Sequence, residues 1–237
     1  MKHANGILRV SAAVAVVTLL VTGACATAQK KPTKSSEPAM VLSDEYANLL
    51  RAHRPDLAER WSRPIPEEVL FVPLNAETIP AHERALGALL DKAGALPSSP
   101  VADSLRARLA YEMTQTAAGG ALRSDPLLWL EIVASAARAP FAWDTTAGCR
   151  EVDRAITQLE RIPEALRGAA VMMRGLPAPD AAAFEMAVAQ AEDVFRRELP
   201  RKARGCREGR LVGQFVEADS VAAASLASFR RLLYPAP

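Results

Sequence analysis

The sequence predicts an all-α fold, an irregular bundle of about seven to nine helices. Aromatic residues make up only 5% of the chain, and alternating Val, Ile and Thr runs, which would indicate strands, do not occur. Alanine, which has the highest helix propensity, is abundant. Most of the seventeen prolines stand where a helix can begin or end, so their number is compatible with an all-α fold.

Capping residues indicate the helices of the N-terminal half in chain order. Five helix starts are predicted, at Ser43, Pro55, Pro80, Ser99-Pro100 and Asp125-Pro126. Apolar residues recur at helical spacing in the third and fourth of these helices, at Leu86, Leu89, Leu90 and Ala93 and then at Val101, Leu105, Leu109 and Met113. These two helices are predicted to end at Gly94 and at Gly119-Gly120.

The fifth of these helices is the most apolar one, and Pro140 is predicted to end it. Its apolar residues surround the helix instead of forming one stripe: Leu127, Leu128, Trp129, Leu130, Ile132 and Val133. All-round apolarity is typical of a helix that is buried on every side. We therefore predict that this helix forms the centre of the bundle.

Further helices are predicted in the C-terminal half. One breaks at Pro163, and a shorter one runs from there to about Arg174 and stops at Gly175. Asp180 caps a longer helix that we predict to end before Pro200. The last helical stretch carries Leu211, Phe215, Val221, Leu226, Phe229 and Leu233, and the sequence leaves open whether Asp219-Ser220 divides it.

Residues 68–74 form the one segment that favours an extended conformation. A lone strand is not stable without several partners, and no second strand is predicted. We therefore predict an irregular strap that packs on the helices.

The N-terminus has the pattern of an export signal. Basic residues precede an apolar run over residues 10–24, which is shorter than the roughly 20 residues of a membrane span. Val21-Thr22-Gly23-Ala24-Cys25 resembles a bacterial lipobox, although Thr22 stands where Leu or Val is usual. We predict a signal peptide over residues 1–24 and lipidation of Cys25. The alternatives are an ordinary signal-peptidase cut after Ala26-Thr27-Ala28, an uncleaved anchor and a buried helix.

The predicted signal peptide is followed by a disordered tether over residues 25–42, because Lys, Ser and Pro are frequent there and cannot bury a core. Residues 43–237 then form a single helical domain. By analogy with bacterial sorting signals, Ala26 in place of Asp favours an outer-membrane lipoprotein on the periplasmic side. The net charge of +2 falls to near zero when Lys2 and Arg9 leave with the leader, so no long-range attraction to nucleic acid is expected.

Cys149 and Cys206 remain as a pair once Cys25 is lipidated or removed. Each lies in a Gly-Cys-Arg triplet at the edge of a predicted helix. In an oxidising compartment we predict that they form a disulfide. Two separate buried thiols are the alternative, and a Cα separation above about 7 Å would exclude the bridge.

No complete catalytic or metal motif occurs in the sequence. His82-Glu83 begins the zinc-peptidase pattern, but Leu86 stands where the second histidine is needed. A Gly-x-Ser-x-Gly elbow and a phosphate-binding loop are also absent from the sequence. We therefore predict no catalytic residue, no metal and no cofactor. Trp129, Phe141 and Trp143 are predicted core residues, with the aromatic lip of a ligand cleft as the alternative.

Several motifs occur in a familiar order. The run RSDPLLWL at residues 123–130 precedes a Pro-Phe-Ala turn at residues 140–142, LERIPEALRGA follows at 159–169, and Glu-Leu-Pro stands at 198–200. In this order they resemble the N-terminal half of the bacterial domain of unknown function 885 family, over roughly residues 47–237. That resemblance implies an exported, helix-rich protein that is often lipidated. The family is similar to zinc metallopeptidases through a His-Glu motif in its C-terminal half, and we expect this chain to lack that half.

Three functions follow from these patterns. The first is a non-catalytic, lipid-anchored envelope domain that binds a peptide, an envelope component or a partner protein. The second is the substrate-cleft half of a split or truncated zinc metallopeptidase-like hydrolase, which the resemblance implies. The third is a self-sufficient hydrolase that uses Asp and Glu residues. We favour the first, because the helical pattern is intact while the catalytic motifs are missing.

Overall fold

The computed structural model describes residues 37–60, 69–141, 147–177 and 179–233. Within these ranges the chain forms eleven α-helices and no strand, and eight of the helices have eleven or more residues. The predicted all-α class is therefore confirmed. None of the described helices is both long and apolar enough to span a membrane.

The first four helices are α1 (Glu37–His53), α2 (Pro55–Arg60), α3 (Ile79–Gly94) and α4 (Pro100–Thr116). They share a hydrophobic core that includes Leu50, Leu57, Leu86, Leu105 and Leu109. The Ser99 hydroxyl caps α4 by accepting a hydrogen bond from the Ala102 N–H at 3.2 Å, as its position before Pro100 predicts. Val101, expected on the buried face of α4, is instead exposed.

The start predicted for α1 at Ser43 is wrong, because the helix begins at Glu37. Residues 37–42 therefore belong to the first helix and not to the tether. Ala39 and Leu42 are buried, and Leu42 belongs to the core that the first four helices share. This burial stabilises an additional turn at the start of α1. The turn was not predicted, because the residues before it are polar.

A short α5 (Ala121–Ser124) leads into α6 (Pro126–Arg138), the predicted central helix. The Asp125 carboxylate caps α6 by accepting a hydrogen bond from the Leu127 N–H at 2.9 Å. Nine of its thirteen residues are buried, which confirms the central position. Beyond Arg138 the chain tightens into a 3₁₀ turn over Ala139–Phe141 that contains Pro140.

The C-terminal half contains α7 (Cys149–Leu159), α8 (Ile162–Met172), α9 (Ala181–Asp193), α10 (Leu199–Ala203) and α11 (Gly209–Leu233). α11 is one continuous helix of 25 residues that packs on α7 and α8, so Asp219-Ser220 does not divide it. These helices and α6 enclose the larger hydrophobic core. After α8 the chain turns at Gly175, whose φ of 81° favours glycine.

The predicted helix end before Pro200 is wrong. Val194–Glu198 forms a π-helical turn, and α10 continues through Pro200 to Ala203. The Leu199 N–H bonds to the Val194 carbonyl, five residues back, within this widened turn. Pro200 then stands in the first turn of α10, where a missing N–H costs little.

Residues 69–75 form the predicted strap, without strand structure, while Glu68 lies outside the described residues. Phe71 and Leu74 are buried in the core. The Phe71 N–H donates to the Gln158 Oε1 atom at 2.7 Å, and the Val72 N–H donates to the Ala52 carbonyl at 2.7 Å. Side-chain and helix-end acceptors thus replace the sheet partners that a strand would need.

The predicted disulfide between Cys149 and Cys206 is present, with a Cα separation of 4.4 Å. It joins the first residue of α7 to the segment between α10 and α11. The alternative of two separate thiols is therefore excluded. Residues 1–36 lie outside the described residues, so the signal peptide, the lipidation of Cys25 and the rest of the tether stay predictions.

Candidate functional site

The N-terminal helices bury a network of charged side chains around Arg54, which lies between α1 and α2. The Arg54 guanidinium donates two hydrogen bonds to Asp56, from Nε at 3.0 Å and from Nη2 at 2.7 Å. Its Nη1 atom donates to both carboxylate oxygens of Glu112 on α4, at 2.9 and 2.8 Å. All three side chains are at most 1% exposed. The Arg54 network therefore ties the α1–α2 junction to α4 by charge-assisted bonds.

Two histidines border this network. The His82 Nε2 atom lies 3.5 Å from the Glu112 Oε1 atom, and the two rings of His82 and His53 meet edge to face at a centroid distance of 4.9 Å. His53 holds the strap through its Nδ1 atom, 2.9 Å from the Val72 carbonyl oxygen. The His82 Nδ1 atom is buried without a hydrogen-bond partner among the described residues.

Burial and ion pairing oppose each other in the pKa values of these groups. Desolvation lowers the pKa of Arg54, but the hydrogen bonds and charges of Asp56 and Glu112 outweigh it and raise the pKa above its usual range. Desolvation raises the pKa of Asp56, and the bonds from Arg54 limit that rise. Burial lowers the pKa of His53, and the nearby His82 ring lowers it further, whereas the bond to the Val72 carbonyl opposes this change. The lowered pKa favours a neutral His53 ring near pH 7.

This arrangement suits structural support better than catalysis. Glu112 already accepts two bonds from Arg54, so it is not free to take a proton from a substrate. In the ranges that the structure describes, no group of three or more His, Cys, Asp and Glu side chains is placed to hold a metal ion. The His82-Glu83 pair therefore has no partners there for a zinc site.

A second site is an open cleft of about 350 Å³ beside α8. Its walls are the outer face of α8, the turn after it, the start of α6 and the end of α11. Arg167, Val171 and Arg174 stand four and three residues apart, so they lie on one face of α8 and its C-terminal extension. We call this site the arginine cleft.

The arginine cleft combines positive charge with exposed apolar surface. Arg167 and Arg174 are exposed, and neither side chain has an ion pair with another described residue. Val171, Leu176 and Leu232 also line the cleft and are 57%, 44% and 59% exposed. These exposed apolar side chains beside two arginines make the cleft a candidate binding site.

The aromatic residues proposed for a ligand lip are placed in the core. Trp129 is buried, and its indole N–H donates to the Leu122 carbonyl at 2.9 Å. Phe141 is fully buried and packs edge to face on Phe215, with centroids 6.4 Å apart. Trp143 lies outside the described residues. The core interpretation of Trp129 and Phe141 is therefore correct, and they form no lip.

Neither the Arg54 network nor the arginine cleft is predicted by the sequence pattern. The Arg54 network joins residues up to 58 positions apart, and no local pattern indicates such pairs. The arginine cleft did leave a signal, because Arg167 and Arg174 are two helical turns apart with Val171 between them. The cleft itself could not be predicted, because one of its walls is formed by Leu232, which lies far along the sequence at the end of α11.

Comparisons with known proteins add no relative. No family model matches the chain, and neither curated proteins nor solved structures gave a match. The resemblance to the domain of unknown function 885 family therefore stays a prediction.

Proposed function

We propose that this chain is an exported, lipid-anchored envelope protein, placed at the outer membrane on the periplasmic side, whose helical domain binds a partner without catalysis. The observation that carries the proposal is the disulfide between Cys149 and Cys206. Structural disulfides persist in oxidising compartments outside the cytoplasm and are rare inside it. The export pattern at residues 1–24 and the lipobox-like run ending at Cys25 agree with that compartment.

Binding is supported by the arginine cleft, which offers unpaired charge and apolar area at one open place. The buried charged groups support binding over catalysis, since Arg54 holds both Asp56 and Glu112 in ion pairs. The partner belongs to the peptides, envelope components or proteins of that compartment, because a near-neutral mature chain has no long-range attraction for nucleic acid.

Labelling cells with a radioactive fatty acid tests the anchor. The wild-type protein is expected to carry the label and to fractionate with the membranes. Cys25→Ala is expected to lose the label and to move to the soluble periplasmic fraction, because the second cut after Ala28 still allows export. Cys206→Ser is the matched control, since it removes a different cysteine and should keep the label. Labelling that persists in Cys25→Ala would refute the lipid anchor.

Zinc content tests the non-catalytic part of the proposal. The protein purified after export is expected to hold far less than one zinc per chain after dialysis. His82→Ala and His53→Ala should leave that content unchanged. Tight zinc at one per chain, lost in either variant, would favour the metallopeptidase-like alternative.

A further inference from the structure

We propose that the arginine cleft binds the free C-terminal end of an apolar peptide. This inference rests on the proposed function, because it names the class of partner that the binding domain takes. It starts from the charge of the cleft, in which no carboxylate stands among the described lining residues. Asp125 and Asp180, which flank the lining segments, accept the capping N–H bonds of α6 and α9. Glu164, one turn before Arg167 on α8, forms no ion pair with either arginine of the cleft. A ligand therefore has to supply the negative charge.

The apolar wall sets the second requirement. Val171 of α8 stands between Arg167 and Arg174, and Leu232 faces the same cleft from α11. A small inorganic anion would satisfy the guanidinium groups but would leave these side chains in water. The ligand therefore has to join an anionic group to apolar side chains, so that both kinds of surface are covered in one binding event.

The spacing of the arginines favours a peptide over a fatty acid. Arg174 lies in the turn just after α8, seven positions beyond Arg167, which corresponds to about 10 Å at the helical rise per residue. An extended peptide advances about 3.3 Å per residue, so three residues cover that distance. The terminal carboxylate can then pair with one arginine while a backbone carbonyl accepts from the other. A fatty acid has one polar end only, so it offers an acceptor to one guanidinium and none to the other.

The size of the cleft agrees with such an occupant. A volume of about 350 Å³ lies at the lower end of the range for ligand sites, roughly 300–1,000 Å³. This suits a few residues at a chain end better than a folded surface. Arginine is the side chain best matched to a carboxylate, because its planar donors bind both oxygens.

Fluorescence anisotropy with short peptides tests this inference. The probes are four tetrapeptides, Gly-Ala-Val followed by Leu, Val, Phe or Ala, each with a neutral dye at the N-terminus. Each is made as the free acid and as the C-terminal amide. The protein is the full chain purified after export. At least one free acid is expected to bind saturably, and its amide to bind at least about tenfold more weakly, because the amide lacks the charge.

Variants locate the binding. Arg167→Gln and Arg174→Gln should each raise the dissociation constant about tenfold or more, while far-ultraviolet circular dichroism stays unchanged because both side chains are exposed. Arg210→Gln is the matched control: it removes an exposed arginine of α11 that is 22 residues from Leu232, about 33 Å along the helix. It should leave the affinity unchanged.

Each other outcome overturns the inference. No binding by any free acid, equal affinity for acid and amide, or an Arg210→Gln loss as large as that of the cleft variants would each refute it. Sodium decanoate that displaces the peptide with equal affinity would assign the cleft to fatty acids instead. The proposed function fails separately, when the protein is neither exported nor labelled by fatty acid, and those measurements do not depend on the peptides.

Discussion

Replacing Cys149 and Cys206 with alanine removes the covalent link between the start of α7 and the segment before α11. The bridge spans a sequence separation of 57 residues, and closing such a loop restricts the unfolded chain. In the chain-entropy model this restriction stabilises the fold by about 4 kcal/mol at 25 °C. That amount is a large part of the roughly 5–15 kcal/mol that stabilises a typical domain.

Urea unfolding followed by circular dichroism measures the effect. A Cys25→Ala background leaves Cys149 and Cys206 as the only cysteines, so reduction acts on this bridge alone. The free energy of unfolding of the oxidised protein is expected to be about 4 kcal/mol higher than that of the reduced protein and that of the Cys149→Ala/Cys206→Ala variant. Free energies of unfolding that agree within about 0.5 kcal/mol among the three forms would refute this reasoning, because the bridge would then not restrict the unfolded chain.

Three further predictions test the packing, two of them with a matched control variant. Glu112→Gln leaves the buried Arg54 guanidinium with one carboxylate, so the free energy of unfolding, measured in urea, should fall by about 3 kcal/mol. Glu185→Gln removes an exposed ion pair and should change that free energy by less than about 1 kcal/mol. Burial raises the pKa of Asp219 to about 7, so thermal stability should fall as the pH rises from about 4 through 7. Asp219→Asn should abolish that fall. A variant with the same pH profile as the wild type would contradict this prediction. Gly168→Ala places a Cβ atom 3.1 Å from the Asn75 Cβ atom of the strap and should lower the free energy of unfolding by about 1 kcal/mol. The Cβ atom of Gly87→Ala meets nothing within 4 Å, so this variant should be more stable than the wild type. Thermal unfolding measures both.

Helix starts were predictable wherever the capping residue acts locally. Ser99, Asp125 and Asp180 each accept a hydrogen bond from an N–H two or three residues later, and the sequence shows both partners. The pairing of Cys149 with Cys206 was also predictable, because removal of Cys25 leaves only one pairing. In these cases the deciding information lies within a few residues or in a simple count.

A distant contact explains the error at the start of α1, and a local π-helical turn explains the one at Pro200. Leu42 extends α1 because it packs in the core that the first four helices share, and Pro200 stays helical because a π-helical turn precedes it. Neither reason is visible in the local pattern. The Arg54 network was missed because Glu112 lies 58 positions away on α4. At the start of α1, tertiary packing overrides local propensity.

The mass of the N-terminal peptide of the protein recovered from bacterial membranes tests the central claim most directly. The proposal of a lipid-anchored envelope protein predicts a peptide that begins at Cys25 and carries covalently bound fatty acyl groups. A peptide that begins at Gln29 would contradict the lipid anchor while leaving export intact. An unmodified peptide that begins at Met1 would contradict both cleavage and the anchor.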